Sequence, residues 1–257
     1  MKLCLDVGNS HIYAGVFEEN RMMLSFRYDT QQSSTSDQLG LFLKLVLKEN
    51  DIDYHRIKKI AICSVVPAID YSLRAACIKY FKREPFFLQA GVKTGLKIKY
   101  HNPYEVGADR ISNAIAAVKQ FPEKNLVIFD FGTATTCCVI TANKEYCGGA
   151  ILPGMRLSME ALGGRAAKLF PVEIVKPNVV VGRSTRESIQ AGIYYAQLGA
   201  VREIISQVKQ HHFPNEPFTV LATGGFATLF SDEKIFSAII PELVLFGLIN
   251  ALDLNNE

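Results

Sequence analysis

The chain has no tryptophan and, among its 6 cysteines, no C-x-x-C pair. The second absence excludes a zinc knuckle or a redox dithiol of the usual spacing. Cys4 and Cys63 lie in apolar, strand-like runs and Cys77 in an amphipathic stretch, so buried free thiols in a reducing cytoplasm are expected. Dense basic runs are missing as well. A net charge of +3 and a pI near 8.4, with Lys and Arg scattered, argue against a nucleic-acid partner. No apolar run approaches the length that spans a bilayer, so no membrane partner is expected. Met1-Lys2 lead straight into the first strand-like run; a cleavable leader would take the first motif with it, and secretion is not expected. Pro- or Gly-rich linkers and low-complexity segments are absent too. What remains is a globular composition, 49% hydrophobic and 21% charged over 257 residues. That is enough for one large domain or two of ordinary size.

Two short runs look like copies of each other: Asp6-Val7-Gly8-Asn9-Ser10 and Asp130-Phe131-Gly132-Thr133-Ala134. Each follows an apolar run, Leu3-Cys4-Leu5 or Leu126-Val127-Ile128-Phe129, and each precedes a second β-rich run, Ile12 to Phe17 or Thr135 to Ile140. The pattern is strand, acidic residue, glycine, small polar residue, strand. Such a hairpin tip holds a carboxylate beside backbone N–H groups that glycine leaves unshielded, one able to hold Mg²⁺ and the other phosphate oxygens. One tip alone reads as an ordinary hairpin turn, because Asp and Gly are both turn formers. A second copy with the same flanks argues for a duplicated domain that closes on a nucleoside triphosphate from both sides.

Taken in order, Met22 to Tyr28 completes a meander of three strands. Thr35-x-x-Gln38 forms a capping box for a helix with Leu39, Leu43, Val46 and Leu47 on its apolar face. Ile60 to Val65 is a strand, and Pro67 suits the first turn of a helix with Ile69, Leu73, Ala76 and Tyr80 inward. Pro85 to Leu88 is a short fifth strand, and a helix from Gly107 to Gln120 joins the halves. Asn125 to Asp130, Thr135 to Thr141 and Glu145 to Ala150 repeat the meander. Helices follow from Met155 through Leu162 and, behind the capping box Ser184-x-x-Glu187, from Thr185 to His211. Phe218 to Ala222 is a strand ending in Thr223-Gly224-Gly225, and a helix from Pro241 to Leu252 closes the chain. The expected fold is α/β: two βββαβα halves, residues 1–115 and 116–257, in the duplicated ribonuclease-H-like (actin-like) arrangement with a nucleotide cleft where the halves meet.

In that fold Asp6 and Asp130 face each other across the cleft, and two carboxylates near a triphosphate imply cations. Mg²⁺ uses one or two carboxylates with substrate oxygens and water. Gly8, Asn9, Ser10, Gly132 and Thr133 then offer phosphate contacts. Thr223-Gly224-Gly225 would let backbone approach adenine or ribose, although a glycine pair after a strand also reads as a turn. A separate cluster runs from Tyr100 to Arg110, with Asn102-Pro103 as a turn and a helix starting near Gly107. Asp109 in the first turn is accounted for by the helix dipole; Arg110 is not, because the same dipole disfavours a cation there. It needs another reason, such as binding a carboxylate. The 5 histidines read as solvated or helix-end residues.

Asp6-Val7-Gly8-Asn9-Ser10, Gly107-Ala108-Asp109-Arg110, Asp130-Phe131-Gly132-Thr133-Ala134 and Gly182-Arg183-Ser184-Thr185, in this order and spacing, resemble the type III pantothenate kinases. Gly148-Gly149-Ala150-Ile151-Leu152-Pro153-Gly154 and Ala222-Thr223-Gly224-Gly225 resemble later segments of that family, so the likeness covers essentially the whole chain. One departure is visible: Ser10 stands where many members have threonine, and the hydroxyl survives. The resemblance implies ATP-dependent phosphorylation of pantothenate to 4'-phosphopantothenate, the first step towards coenzyme A. It also implies a homodimer, Mg²⁺ with the ATP, and a monovalent cation, K⁺ or NH₄⁺. By position, Asp6, Val7, Gly8, Asn9, Ser10, His11, Ile12 and Tyr13 would be the first phosphate segment and Thr133 a further ATP contact, while the carboxylate argument makes Asp6 a candidate Mg²⁺ ligand. Asp109 would be the base and Asp130 the monovalent-cation ligand. Tyr100, Gly107, Ala108, Asp109, Arg110 and Thr185 would face pantothenate. A helix N-terminus is expected to lower the pKa of Asp109 and make it a weak base, which phosphoryl transfer tolerates because the hydroxyl proton leaves late.

Two other readings are open. Sugar or acetate kinases of the actin-like superfamily share the phosphate tips but have different acceptor segments. An ATP-gated binding module would use the cleft for switching without phosphorylating a small molecule. ADP release that depends on added pantothenate separates both from the pantothenate kinase.

Overall fold

The computed structural model describes residues 1–166 and 168–255. The chain packs into two compact units: Met1–Leu96 with His101–Ala116 and the segment from Val244 onward, and Lys97–Tyr100 with Ala117–Leu243.

The first unit is built on a sheet of five strands. β1 (Lys2–Val7), β2 (His11–Glu18) and β3 (Arg21–Asp29) form the meander; β4 (Lys59–Ser64) and β5 (Phe86–Phe87) complete it in the order β3-β2-β1-β4-β5. β1 is antiparallel to β2 and parallel to β4. Alternation along β1 sends Leu3, Leu5 and Val7 to one face, where they pack with Leu39, Leu43 and Leu47 of α1 (Ser36–Glu49) and Ile69, Leu73 and Ala76 of α2 (Pro67–Ala76). Each such fully buried leucine is worth about 1.5–3 kcal/mol. Both halves of the capping box at Thr35 are made: its hydroxyl accepts from the Gln38 amide, and the Gln38 side chain accepts from the Thr35 amide. α2 begins on Pro67 and runs on through a single π turn, Cys77–Phe81, to the left-handed Lys82.

The other face of this sheet receives the end of the chain. α6 (Leu243–Leu254) sets Phe246 edge-on to Phe17 at 5.7 Å between ring centroids, and Asp253 pairs with Lys2 at 2.6 Å. α6 also crosses α3 (Ala108–Gln120), where the Ser112 hydroxyl donates to the Val244 carbonyl at 2.7 Å. The packing therefore differs from a cut at 115/116, which leaves the last helix with the second half. Phe246 and Asp253 find their partners on β1 and β2, and those partners decide where α6 belongs.

The second unit repeats the sheet. β7 (Asn125–Phe131), β8 (Ala134–Ile140) and β9 (Glu145–Pro153) form the meander, and β10 (Phe218–Thr223) and β11 (Ala238–Ile239) extend it past β7. The order β9-β8-β7-β10-β11 matches β3-β2-β1-β4-β5 strand for strand, with β6 (Lys97–Ile98) added in parallel at the β9 edge. α4 (Met155–Arg165) follows β9, and α5 (Thr185–His211) lays Ile189, Ile193, Tyr194, Leu198, Val201 and Val208 on Val127, Phe129, Phe131, Cys137 and Val139. At the start of α5 the Ser184 hydroxyl accepts from the Glu187 amide, but the Glu187 carboxylate accepts from the Arg183 amide instead of closing the box on Ser184. No described helix is long and apolar enough to cross a membrane.

Candidate active site

Asp6 and Asp130 occupy equivalent positions. Each is the next-to-last residue of its strand. Asp6 stands opposite Tyr13 on the antiparallel neighbour and Cys63 on the parallel one, and Asp130 opposite Thr136 and Thr223. After Asp6 the chain turns through Gly8, Asn9 and Ser10, with the Gly8 amide donating to the His11 carbonyl at 3.0 Å. After Asp130 it turns through Gly132 and Thr133 alone, with the Gly132 amide donating to the Ala134 carbonyl at 3.1 Å. The second tip is one residue shorter.

Within the first segment the residues divide by burial. Val7 and Ile12 are core side chains, and Tyr13 is covered by the Arg27 guanidinium 4.0 Å from its ring centre. Asp6, Gly8, Asn9, Ser10 and His11 stay accessible in part, with His11 Nε2 3.4 Å from Asp29. Thr30, at the end of β3, braces this tip. Its hydroxyl donates to the Gly8 carbonyl at 2.7 Å and its amide to the Ser10 carbonyl at 3.0 Å.

Backbone braces the second tip instead. The Gly154 amide donates to the Thr133 carbonyl at 3.1 Å, and a side chain at Gly154 would collide with the carbonyl oxygens of both Thr133 and Gly132. Gly154 is the N-cap of α4, with no side-chain cap, so the open amides of the first turn of α4 start beside the tip. From the other side Gly224, at φ +91°, lies against Asp130; a Cβ there would strike the Asp130 carboxylate and the Phe131 backbone. Thr133 is exposed, whereas Asp130 and Gly132 are half-buried.

The residues expected to face pantothenate fall in three places. Gly107 caps α3, its carbonyl accepting from the Ile111 amide at 3.1 Å. Ala108 opens the helix, and the Asp109 carboxylate curls back over Gly107 to accept from the Arg110 amide at 2.8 Å. Burial raises the Asp109 pKa and outweighs the lowering by the Arg110 amide and guanidinium. The expectation that the helix N-terminus makes Asp109 a weak base is therefore corrected: desolvation wins over the local donors. Arg110 is only 5% exposed, so it is no free cation at an open helix start, and its charge acts on Asp109. Tyr100 sits in the second unit, over the bulge of β9, where a Cβ on Gly148 would come within 3.3 Å of its ring. Thr185, exposed at the first position of α5, lines a groove of about 980 Å³ with Ser158, Leu162, Gly182, Ser188 and Gly192.

A family model described as type III pantothenate kinase matches residues 2–207. A type III pantothenate kinase of Legionella pneumophila (strain Corby) is 58% identical over 96% of this chain and 96% of its own length. The chain belongs to the type III pantothenate kinase family. One from Elusimicrobium minutum is 45% identical over the full length of both chains. Among solved structures, a Campylobacter jejuni protein named for the Baf family of transcriptional activators superposes with a TM-score of 0.62 at 17% identity, covering 99% of this chain and 98% of that one. A Porphyromonas gingivalis protein named for N-acetylglucosamine kinase does so with 0.53 at 12%, covering both chains fully. At such identities these two show the fold alone: the duplicated ribonuclease-H-like arrangement. Two contacts around the tips of this type III pantothenate kinase join residues far apart in the sequence, Thr30 with Gly8 and Gln197 with Pro153. Thr30 carries no local signal, since its partners Gly8 and Ser10 reach it only through the pairing of β2 with β3. Gln197 did leave one: it is a polar residue on the apolar face of α5.

Proposed function

We propose that this chain transfers the terminal phosphoryl group of ATP to the primary hydroxyl of pantothenate, giving 4'-phosphopantothenate for coenzyme A synthesis. The observation that carries the reading is the family match along residues 2–207, with Asp109 held at the half-buried start of α3. Asp109 orients the hydroxyl and takes its proton. Its raised pKa brings it nearer the working pH, which makes it a better acceptor than a free aspartate. Arg110 keeps the carboxylate from neutralising altogether. Because the transition state is loose, positioning and charge neutralisation carry most of the acceleration.

Asp6 to Tyr13 form one phosphate segment and Thr133 a further ATP contact. Val7, Ile12 and Tyr13 are buried, so in this reading they act through backbone or by shaping the strand, and Gly8 to Ser10 meet the phosphates. A single half-buried carboxylate such as Asp6 suits Mg²⁺, which takes its remaining oxygens from phosphate and water. The ion offsets triphosphate charge. Asp130 is assigned to K⁺ or NH₄⁺ for the same reason of donor chemistry. Tyr100, Gly107, Ala108, Arg110 and Thr185 face pantothenate. The cytoplasm is the assigned place of work, in keeping with free thiols at all 6 cysteines.

The homodimer is part of the same reading. Leu157, Leu162, Phe170, Val180 and Val181 are exposed, and Leu162 shares a groove with small exposed residues of α5, Ser188, Gly192 and Ala196, whose spacing allows close helix approach. A second copy on this surface would bring Thr185 to the neighbour's acceptor site. ADP release measured with pantothenate, a sugar or acetate tests the substrate: release driven by anything but pantothenate overturns it. Asp109→Asn should lower kcat by about two to four decades while the protein stays folded. Mixing Asp109→Asn with Thr185→Arg, with subunit exchange confirmed, should restore one working site per mixed dimer. No restoration would show that Thr185 serves its own chain.

A further inference from the structure

Gln197 is 7% exposed and stands among Ile193, Tyr194, Leu198 and Val201 on the core face of α5. A buried amide there costs free energy unless its polar atoms are used. Half of it is used. Nε2 donates to the Pro153 carbonyl at 2.7 Å, whereas Oε1 has no hydrogen-bond partner among the described residues. A leucine at this position would remove the unpaired Oε1 but would also leave the Pro153 carbonyl without this donor, so what glutamine adds over an apolar side chain is that one bond.

The position of the Pro153 carbonyl gives that bond its use. Pro153 ends β9, paired with Ala134, and the next residue is Gly154, whose amide donates to the Thr133 carbonyl at 3.1 Å. Gly154 lies close enough to Thr133 and Gly132 that even a methyl group on it would collide with their carbonyl oxygens. The corner from β9 to α4 also lacks a side-chain cap of its own. One donor from α5 therefore fixes the carbonyl on the near side of this corner, and the corner fixes Thr133. We infer that Gln197 is a positioning residue for the phosphate tip at Thr133, acting through Pro153 and Gly154. It links α5, whose first residue is Thr185, to the nucleotide tip within one unit. The inference rests on the reading of Thr133 as an ATP contact.

The test uses the full-length enzyme with Gln197→Met, which keeps length and packing but cannot donate, and Thr133→Ala beside it. Amide exchange at Gly154 is measured without nucleotide, and KM is measured separately for ATP and pantothenate. Gln197→Met should speed Gly154 exchange and raise the ATP KM about five- to tenfold, the size of one neutral hydrogen bond. The pantothenate KM should stay within about twofold, because that substrate does not read the tip. Unchanged exchange at Gly154 overturns the inference. So does an ATP KM left alone by Gln197→Met but raised by Thr133→Ala. A lower melting temperature with both KM values unchanged and normal exchange reduces Gln197 to a packing residue. Faster exchange with an ATP KM indifferent to both variants keeps the positioning role and removes Thr133 from the ATP site.

Discussion

Asp6 and Asp130 stand on strands with the same neighbours, yet the two tips are held by different means. At the first, a loop of three residues is tied by a hydroxyl: Thr30 donates to Gly8 and leaves the glycine room to adjust. The tip at Asp130 is a loop of two residues pressed by Gly154 on one side and Gly224 on the other, with the Gly154 amide as its brace in place of a side-chain hydroxyl. A hydroxyl brace is worth about 1 kcal/mol and yields gradually. A backbone wedge has few soft directions: the atoms a side chain would strike are carbonyl oxygens at Gly154, and the Asp130 carboxylate and Phe131 peptide at Gly224. Duplication thus supplied the same sheet twice, and the segments added around it made one tip compliant and the other stiff.

The comparison is easiest to break at the glycines. Gly224→Ala forces a left-handed backbone onto alanine and drives its Cβ into Asp130, so a loss of roughly 2–5 kcal/mol is expected in denaturant unfolding, with ATP use lost. Gly8→Ala meets only the His11 carbonyl, at 3.3 Å, and should cost about 1 kcal/mol or less. Equal damage at both sites would end the distinction. Asp130→Asn should come next in size, weakening activation by K⁺ and raising the ATP requirement; wild-type K⁺ activation in that variant would take the cation away from Asp130. Thr30→Val should raise the ATP KM by about two- to fivefold with little change in melting temperature. An unaltered KM would mean that the first tip needs no brace.

The smallest effect on stability concerns Asp109, which neither brace touches. Its folded pKa is raised, so the fold favours the protonated form. The stability this adds is fully present below the unfolded value, near 3.9, and is lost as pH rises through the folded pKa. Asp109→Asn should therefore melt slightly higher than wild type at pH 7 to 8, with the gap closing below about pH 4. A variant that melts lower at neutral pH would show that the charge is stabilised in the fold.

Both tips were legible in the sequence because strand, acid and glycine follow one another locally, and so were the meanders and the capping box at Thr35. The bracing was not. Thr30 and Gln197 meet Gly8 and Pro153 through strand pairing and helix packing, over separations that periodicity does not reach. The acidity of Asp109 was misjudged for a related reason. The helix dipole is a local property that can be read from Gly107-Ala108-Asp109-Arg110, whereas the burial that outweighs it is tertiary. The final helix was recognised as a helix, but Pro241 to Leu252 says nothing about which sheet it covers.

That last helix has a consequence for the order in which the molecule is made. Lys2 and Asp253, 251 positions apart, belong to one packed unit. During synthesis β1 and β2 emerge before the second unit, and the helix that covers Phe17 and the flank of Gly15 emerges after it. The second unit, whose strands β7 to β11 all lie before Val244, is complete while the first still waits for its cover. Units usually fold as they leave the ribosome, N-terminal first. Here the N-terminal sheet is the late one, and a nascent chain stalled before Val244 would present a bare apolar face to chaperones and proteases.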